Sequence, residues 1–508
     1  MNLCKRTTTA ILFSLAFSGV ALSKSMAVST NLNTNTEVGL DTAFVGANVL
    51  NPSVNLPISD ATILVSKGKI VKIQPKSQKI PANYSIVDVQ DKWVIPGLID
   101  GHIHMAQSGS AFTRPDTIDA RKIMSYDSDQ QWLLNNSAHI LGKYIEQGIT
   151  TVFDMGGPSE YLSHYRQVTA GGIFPDIYAA GTLLAPMEIP QLNINGNTFT
   201  QVTTAKEATA LVVKQLPHNT KMIKMVWTQE TGLSSEQLFD LYKPAIELAH
   251  KHDRRVAIHV EDLANAKMAI RAGGDILVHG VMTDLIDKEF IDLMKKNDVT
   301  YMPTLSSYSH YFELFKNELK FSDFEHTHGH SEIINSYKLL MENVADTDQM
   351  FQIFLKYVPM VDKPEAEIAK LSAREQSIVK QLQAMFSTSI EEIQKANLKM
   401  MIDAGVNVAF GTDAGNPGTL HASSMMGEII EWQKAGISNK QILKAITFGN
   451  AVALGLDEKV GSLLTGLQAN FVVLSGNPYK DIRALEAPQM TVKNGNVLDL
   501  QKETHNEK

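Results

Sequence analysis

The sequence predicts an α/β protein: a TIM-like (β/α)8 barrel with a small β-sandwich domain built from both chain ends. Three observations carry this. From Val94 onward, short apolar runs alternate with longer helical stretches, the pattern of a parallel sheet with covering helices. Eight such strand candidates can be counted, the number that closes a barrel. Before Val94, and again after about 459, short β-type runs separated by turns recur with no helical period. The expected organisation is therefore a leader at 1–27, a sandwich from 28–94 and 459–508, and a barrel at 95–458 carrying a helical insertion at about 306–399.

Lys5 and Arg6 are followed by an apolar run at 10–22 and then by small residues, with Ala21-Leu22-Ser23 and Ser25-Met26-Ala27 as candidate cleavage sites. That is the pattern of a secretory signal peptide, and the run is short for a membrane span. A mature chain would begin near Lys24 or Val28, leave no stable membrane anchor, and reside in a bacterial periplasm. Cys4 is the only cysteine among 508 residues. The mature chain thus holds no disulfide and no thiolate metal site, and any metal falls to His, Asp, Glu or a modified Lys. Hydrophobic content of 44%, charged content of 20% and a formal charge of −8 suit a soluble globular protein and disfavour a nucleic-acid partner.

A polar stretch at 31–37 reads as a linker. The runs 43–50, 61–65, 70–73 and 85–89 read as sandwich strands. The barrel strands are then expected at 95–104, 150–154, 176–181, 222–227, 255–259, 275–279, 300–305 and 406–412. Helices are expected at 131–147, 234–251 (capped by Ser234 or Ser235), 262–272 and 284–297. The insertion at 306–399 is polar and largely helical, and its position after a barrel strand makes it a lid over the pocket. A helix at 438–456, capped by Ser438, precedes the closing β-type runs at 470–474 and 490–498.

Barrel enzymes place their chemistry at the C-terminal ends of strands. There the sequence puts His102 and His104, Lys224, His259, His279 and Asp413. His102 and His104 are two apart, so on a strand they share a face. Asp100 stands ready to support a ligand. Each residue has a plainer role open to it. His259 and His279 suit a satisfied core, Lys224 a snorkelling strand end, and Asp413 a cap. Their coincidence at the same end of five strands favours a shared site. Imidazoles and carboxylates bind borderline divalent cations such as zinc. Lys224, between Ile223 and Met225, is expected to be desolvated, which favours its neutral nucleophilic amine.

The chain resembles the amidohydrolase superfamily. The resemblance rests on Pro96-Gly97-Leu98-Ile99-Asp100-Gly101-His102-Ile103-His104, on 148–154, on Ile223-Lys224, on His259, on His279-Gly280, on Gly411-Thr412-Asp413-Ala414-Gly415, and on the closing segment at 461–463 and 469–478. Within it the chain is similar to the imidazolonepropionase-related and Xaa-Pro dipeptidase-like (prolidase) group. That resemblance implies two divalent metal ions, with zinc the leading choice, and a carbamylated Lys224 bridging them. His102, His104 and Asp413 would hold one ion, and His259 and His279 the other. The chain departs from the pattern at Phe153, where many relatives carry arginine, at 182–196, which lacks a Gly-Gly-His, and at Gln468 and Asn470.

The expected activity is hydrolysis of C–N amide bonds in small molecules, dipeptides or N-acyl amino acids, by a metal-bridged hydroxide with Asp413 as catalytic proton shuttle. The alternatives left open are a mononuclear deaminase or imidazolonepropionase-type cyclic amide hydrolase, a lactonase or phosphotriesterase on the same site, and a binding protein without turnover. The partner is a small-molecule substrate, and a homo-oligomer is allowed. His421 and Tyr308 are the expected substrate contacts, with Arg114 and Arg121 as further candidates for a substrate carboxylate. His326, His328 and His330 read as an exposed loop, and His139 as structural.

Overall fold

The computed structural model describes residues 41–500, apart from 55, 56, 195, 219 and 230. The expected leader at 1–27 and linker at 31–37 lie outside the described residues.

The run 95–104, expected as one strand, is two strands, Trp93–Pro96 and Leu98–Ile103. The first pairs with Thr42–Val49 and Phe471–Leu474, the second with Ile149–Asp154. The chain changes sheet at Gly97. Its N–H donates to the Asn470 carbonyl, and a Cβ there would overlap the Thr150 side chain.

Both chain ends do contribute to one β unit. Its ladders form a single mixed eight-stranded sheet, continuous through its hydrogen bonds rather than divided into two separate sheets. The physical reason is that Trp93–Pro96 has a partner on each edge, so the ends join side by side along hydrogen bonds. Phe44 meets Phe471 edge-on, with ring centroids 4.9 Å apart, in a core shared with Ile63, Val94 and Val492.

The remaining strands have TIM-like barrel character in an α/β setting, with parallel ladders throughout. Leu98–Ile103, Ile149–Asp154 and Asp176–Ala179 form one ladder. Met222–Val226, Arg255–His259, Ile276–Val278 and Thr300–Met302 form another, extended at its edge by two short strands not anticipated from the sequence, Leu183–Ala185 and Phe199–Gln201. The ladders do not close into one continuous ring. The expected eighth strand, 406–412, makes only isolated bridges at Tyr301↔Val408 and, just beyond it, Ile103↔Ala414. Side chains replace the missing ladder. Asn450 accepts from the Phe410 N–H at 2.7 Å and donates to the Ile99 carbonyl at 2.6 Å. Asp100 accepts from the N–H and hydroxyl of Thr412, at 3.1 and 2.7 Å.

Helices start where a side chain satisfies the free N–H groups of the first turn. Ser234 caps Ser235–Lys251 in a reciprocal pair with Gln237, Asp262 caps Leu263–Ala272, and Asp287 moves the next start to Lys288. Ser125 begins Tyr126–Glu146 earlier than the apolar spacing suggested, because Asp127 and Asp129 suit the first turn. The expected helix at 438–456 runs Asn439–Lys444, opens into a wide turn at Ala445–Gly449 and resumes at Asn450–Ala453, bringing Asn450 to its partners.

The insertion is helical, as expected, and has an apolar core of its own. Phe312, Phe315, Phe351, Phe354 and Phe386 build an aromatic core that also takes in Phe112 from the loop after Leu98–Ile103.

Candidate active site

His102 is the fifth residue of Leu98–Ile103 and His104 follows the strand, so alternation puts both imidazoles on one side, Nε2 to Nε2 at 3.3 Å. Asp413 adopts a left-handed backbone, φ 62°, which turns its carboxylate inward. Its Oδ1 lies 3.2 Å from His102 Nε2 and 3.1 Å from His104 Nε2. Gly411 makes this approach feasible, since any Cβ there would overlap the side chain of His102.

His259 ends Arg255–His259, and His279 lies one residue past Ile276–Val278 with φ 67°, again left-handed. Their ring centroids are 4.7 Å apart, and His279 lies 5.1 Å from the His102 ring. Lys224 is the middle residue of Met222–Val226, is 2% exposed, and its Nζ has no hydrogen-bond partner among the described residues.

The ring orientations are set from outside. His104 Nδ1 lies 2.9 Å from the Gly156 carbonyl, which only accepts. Nδ1 therefore carries the proton, and Nε2 presents a lone pair inward. His279 Nδ1 is 2.8 Å from the Thr304 hydroxyl. Asp100, expected to support a ligand, holds the His102 backbone N–H at 3.3 Å and Thr412, while its burial pushes its carboxyl up to about 7.

Burial dominates the electrostatics. It pushes His102 down to about 4, against the pull of Asp413, and His259 down to about 3 with help from Lys224. His279 is driven well below the usual range by burial and by His259. These imidazoles are neutral near pH 7. Burial pushes the Lys224 ammonium down to about 7, with Asp413 opposing. Burial would raise Asp413, but His102 beside it holds its carboxyl well below the usual carboxylate range.

The residues fit a divalent cation. Donor atoms of His102, His279 and Asp413 all lie within 4.8 Å of one another. Imidazole lone pairs and a carboxylate oxygen converging at this range in a buried space repel unless a cation lies among them. A cavity of about 330 Å³ opens onto this group, lined by His104, Lys224, His259, His279 and Asp413 among others.

The other expected residues part ways. Tyr308 lines the cavity, but its hydroxyl is engaged by the Met385 and Ser387 carbonyls and the Ser387 N–H. His421, expected to face substrate, does not. It is 4% exposed, with Nε2 at 2.7 Å from the Gln107 carbonyl and Nδ1 at 2.8 Å from the Tyr144 hydroxyl, so both ring nitrogens are committed inside the fold. Arg121 is exposed and paired with Asp119. Arg114 lines the cavity. The expected exposed histidine loop is largely a helix, Asp323–His328. His326 is exposed, whereas His330 is buried against His139, ring centroids 4.6 Å apart, because the following helix needs an apolar inner face. His139 packs there, as the structural reading required.

Ser307, Thr304, Asn416 and Gln394 also line the cavity and were not singled out from sequence. Thr304 sits just after Thr300–Met302, a strand end like the others, and Ser307 lies in the first turn of the helix Leu305–Phe315 that follows, and that position is the signal that marks them.

The family model for the amidohydrolase family matches residues 93–498. The chain is similar to imidazolonepropionase of Colwellia psychrerythraea, 22% identical over 274 residues, covering 48% of this chain and 63% of that protein. It is 27% identical over 113 residues to imidazolonepropionase of Pseudoalteromonas atlantica, covering 18% of this chain and 27% of that protein. The chain thus spans less than two thirds of these curated relatives. A solved structure of a Xaa-Pro dipeptidase with bound methionine superposes with a TM-score of 0.65 at 19% identity, covering 90% of this chain and all of that one, a likeness of fold.

Proposed function

The chain belongs to the amidohydrolase family, and on that premise we propose that it is a metal-dependent hydrolase that cleaves C–N amide bonds in small molecules, dipeptides or N-acyl amino acids. The observation that carries this reading is the convergence of His104, His259, His279, Lys224 and Asp413 on one cavity, with His102 buried against that group.

In this reading His102, His104 and Asp413 would hold one divalent cation, for which zinc suits the donor set, and His259 and His279 would hold a second. Such cations supply Lewis acidity toward water and toward a carbonyl. Lys224, buried and with no hydrogen-bond partner among the described residues, would present a neutral amine able to add carbon dioxide with loss of a proton, and the resulting carbamate would supply oxygen donors to the metal site. Asp413 takes a proton from the attacking water and returns it to the leaving nitrogen. Ser307 holds Oδ2 of that carboxylate at 2.9 Å, so Oδ1 keeps its orientation. Apolar side chains such as Leu183 and Phe199 exclude water around the scissile group. The leader pattern supports export to a periplasm.

The test is a substrate panel offered to zinc-loaded protein: Xaa-Pro and other dipeptides, N-acyl amino acids, cyclic amides, lactones and phosphotriesters. Amide turnover well above the rest is expected. Faster lactone or phosphotriester turnover overturns the amide assignment.

A second reading is favoured by one observation, that donor atoms of His102, His279 and Asp413 lie within 4.8 Å of one another, a set that one cation could share. A single cation there suits a deaminase or a cyclic amide hydrolase, the latter in keeping with the imidazolonepropionase relatives. Metal content separates the two.

A further inference from the structure

The cavity has two kinds of wall. Leu183, Met187, Ile189, Phe199, Val226 and Met282 are apolar, whereas Arg114 brings in a fixed cation from the loop after Leu98–Ile103. Apart from Lys224, it is the one lysine or arginine among the described lining residues.

Arg114 is fastened. Its Nε and one terminal nitrogen grip both Asp116 carboxylate oxygens at 2.8 and 2.6 Å. Its other terminal nitrogen donates to Asn416 Oδ1 at 3.0 Å. A guanidinium has five N–H bonds, and these contacts use three. Asn416 Oδ1 also accepts from the Tyr311 hydroxyl at 3.1 Å, while its Nδ2 donates to the Asp413 backbone carbonyl at 3.2 Å. The guanidinium is therefore tied through one buried side chain to Asp413 itself. The strand Ile149–Asp154 offers no competing cation, since Phe153 is fully buried in the core.

We propose that Arg114 is a specificity-determining residue that binds a free carboxylate of the substrate, with Asn416 holding that anion site at a set distance from Asp413. A planar fork with two N–H bonds to spare matches the two oxygens of a carboxylate. The Asp116 carboxylate offsets the cation, which suits a singly charged acid over a phosphate dianion. The apolar wall then takes the neighbouring side chain. Substrates are accordingly amides of amino acids with a free carboxyl group and an apolar side chain. This rests on the hydrolase reading above.

The experiment compares N-acetyl-L-leucine with its uncharged carboxamide, N-acetyl-L-leucinamide, on zinc-loaded wild type, Arg114→Ala, Arg114→Lys and, as a control outside the cavity, Arg121→Ala. Wild type should prefer the acid in kcat/KM by about 10- to 100-fold, the scale of a hydrogen bond to a charged group. Arg114→Ala should lose that preference mainly through KM, Arg114→Lys should keep part of it, and Arg121→Ala should keep all of it. A preference for the acid that survives Arg114→Ala overturns the proposal. Calorimetric titration with N-acetyl-L-leucine decides the anion site even if neither compound is hydrolysed, which would count against the hydrolase reading alone. Binding to wild type and not to Arg114→Ala supports the site; equal binding, or none to wild type, overturns it.

Discussion

Ser307 donates its hydroxyl to Oδ2 of Asp413 at 2.9 Å, while the other oxygen of that carboxylate faces His102 and His104. One serine at the start of the helical insertion thereby sets the rotation of the carboxylate that the proposed reaction uses. Removing it leaves a buried charged oxygen short of a donor, a loss on the order of 1.5–3 kcal/mol. Ser307→Ala should fold normally by circular dichroism and lose about 10-fold or more in kcat, with Ser307→Thr recovering part of it. An alanine variant as fast as wild type would show that Asp413 is oriented without Ser307.

Metal content should approach two divalent ions per chain, because six donor residues exceed one tetrahedral site. Lys224→Ala should lose at least one ion and most activity. A small carboxylic acid, standing in for the carbamate, should restore part of both. Saturation near one ion in wild type, measured by elemental analysis without chelator, would favour the single-cation reading.

Asp413→Asn keeps the size of the side chain and removes its basicity. Turnover should fall by about 10²–10⁴-fold, the usual contribution of a positioned proton shuttle. The fold and much of the metal should remain. Undiminished turnover would assign the base elsewhere.

Glu428 accepts hydrogen bonds from the N–H groups of Leu305 and Ser306 and from the Trp432 indole, at 3.0, 2.6 and 2.8 Å. Burial pushes its carboxyl up to about 7. The folded value lies above the unfolded one, about 4.3. Its relative contribution is therefore full below the unfolded value and is lost as pH rises toward 7. Wild type should lose stability between pH 5 and pH 8 relative to Glu428→Gln, read from urea midpoints. Parallel profiles for the two proteins would contradict this.

Protein recovered from a bacterial periplasm should begin near Lys24 or Val28 on N-terminal sequencing. Recovery with Lys5, Arg6 and the apolar run at 10–22 intact would refute cleavage.

The sequence by itself determined what depends on local periodicity. His102 and His104 share a face because strand side chains alternate, and the strands that carry Lys224, His259 and, one residue past its strand, His279 follow from short apolar runs between capped helices. Those residues meet because parallel strands in such a fold present the same end. What only the tertiary structure decided depends on pairing between segments far apart in the chain. Phe471–Leu474 beside Trp93–Pro96 splits the first run at Gly97 and joins both ends in one sheet. His421 lies eight residues after Asp413, yet the partners that draw it away from the cavity, Tyr144 and Gln107, are hundreds of residues distant. Asn416 gains its place from Arg114 and Tyr311 on two other segments. The left-handed turns at His279 and Asp413 cost local energy that only surrounding contacts repay, so no local preference announces them.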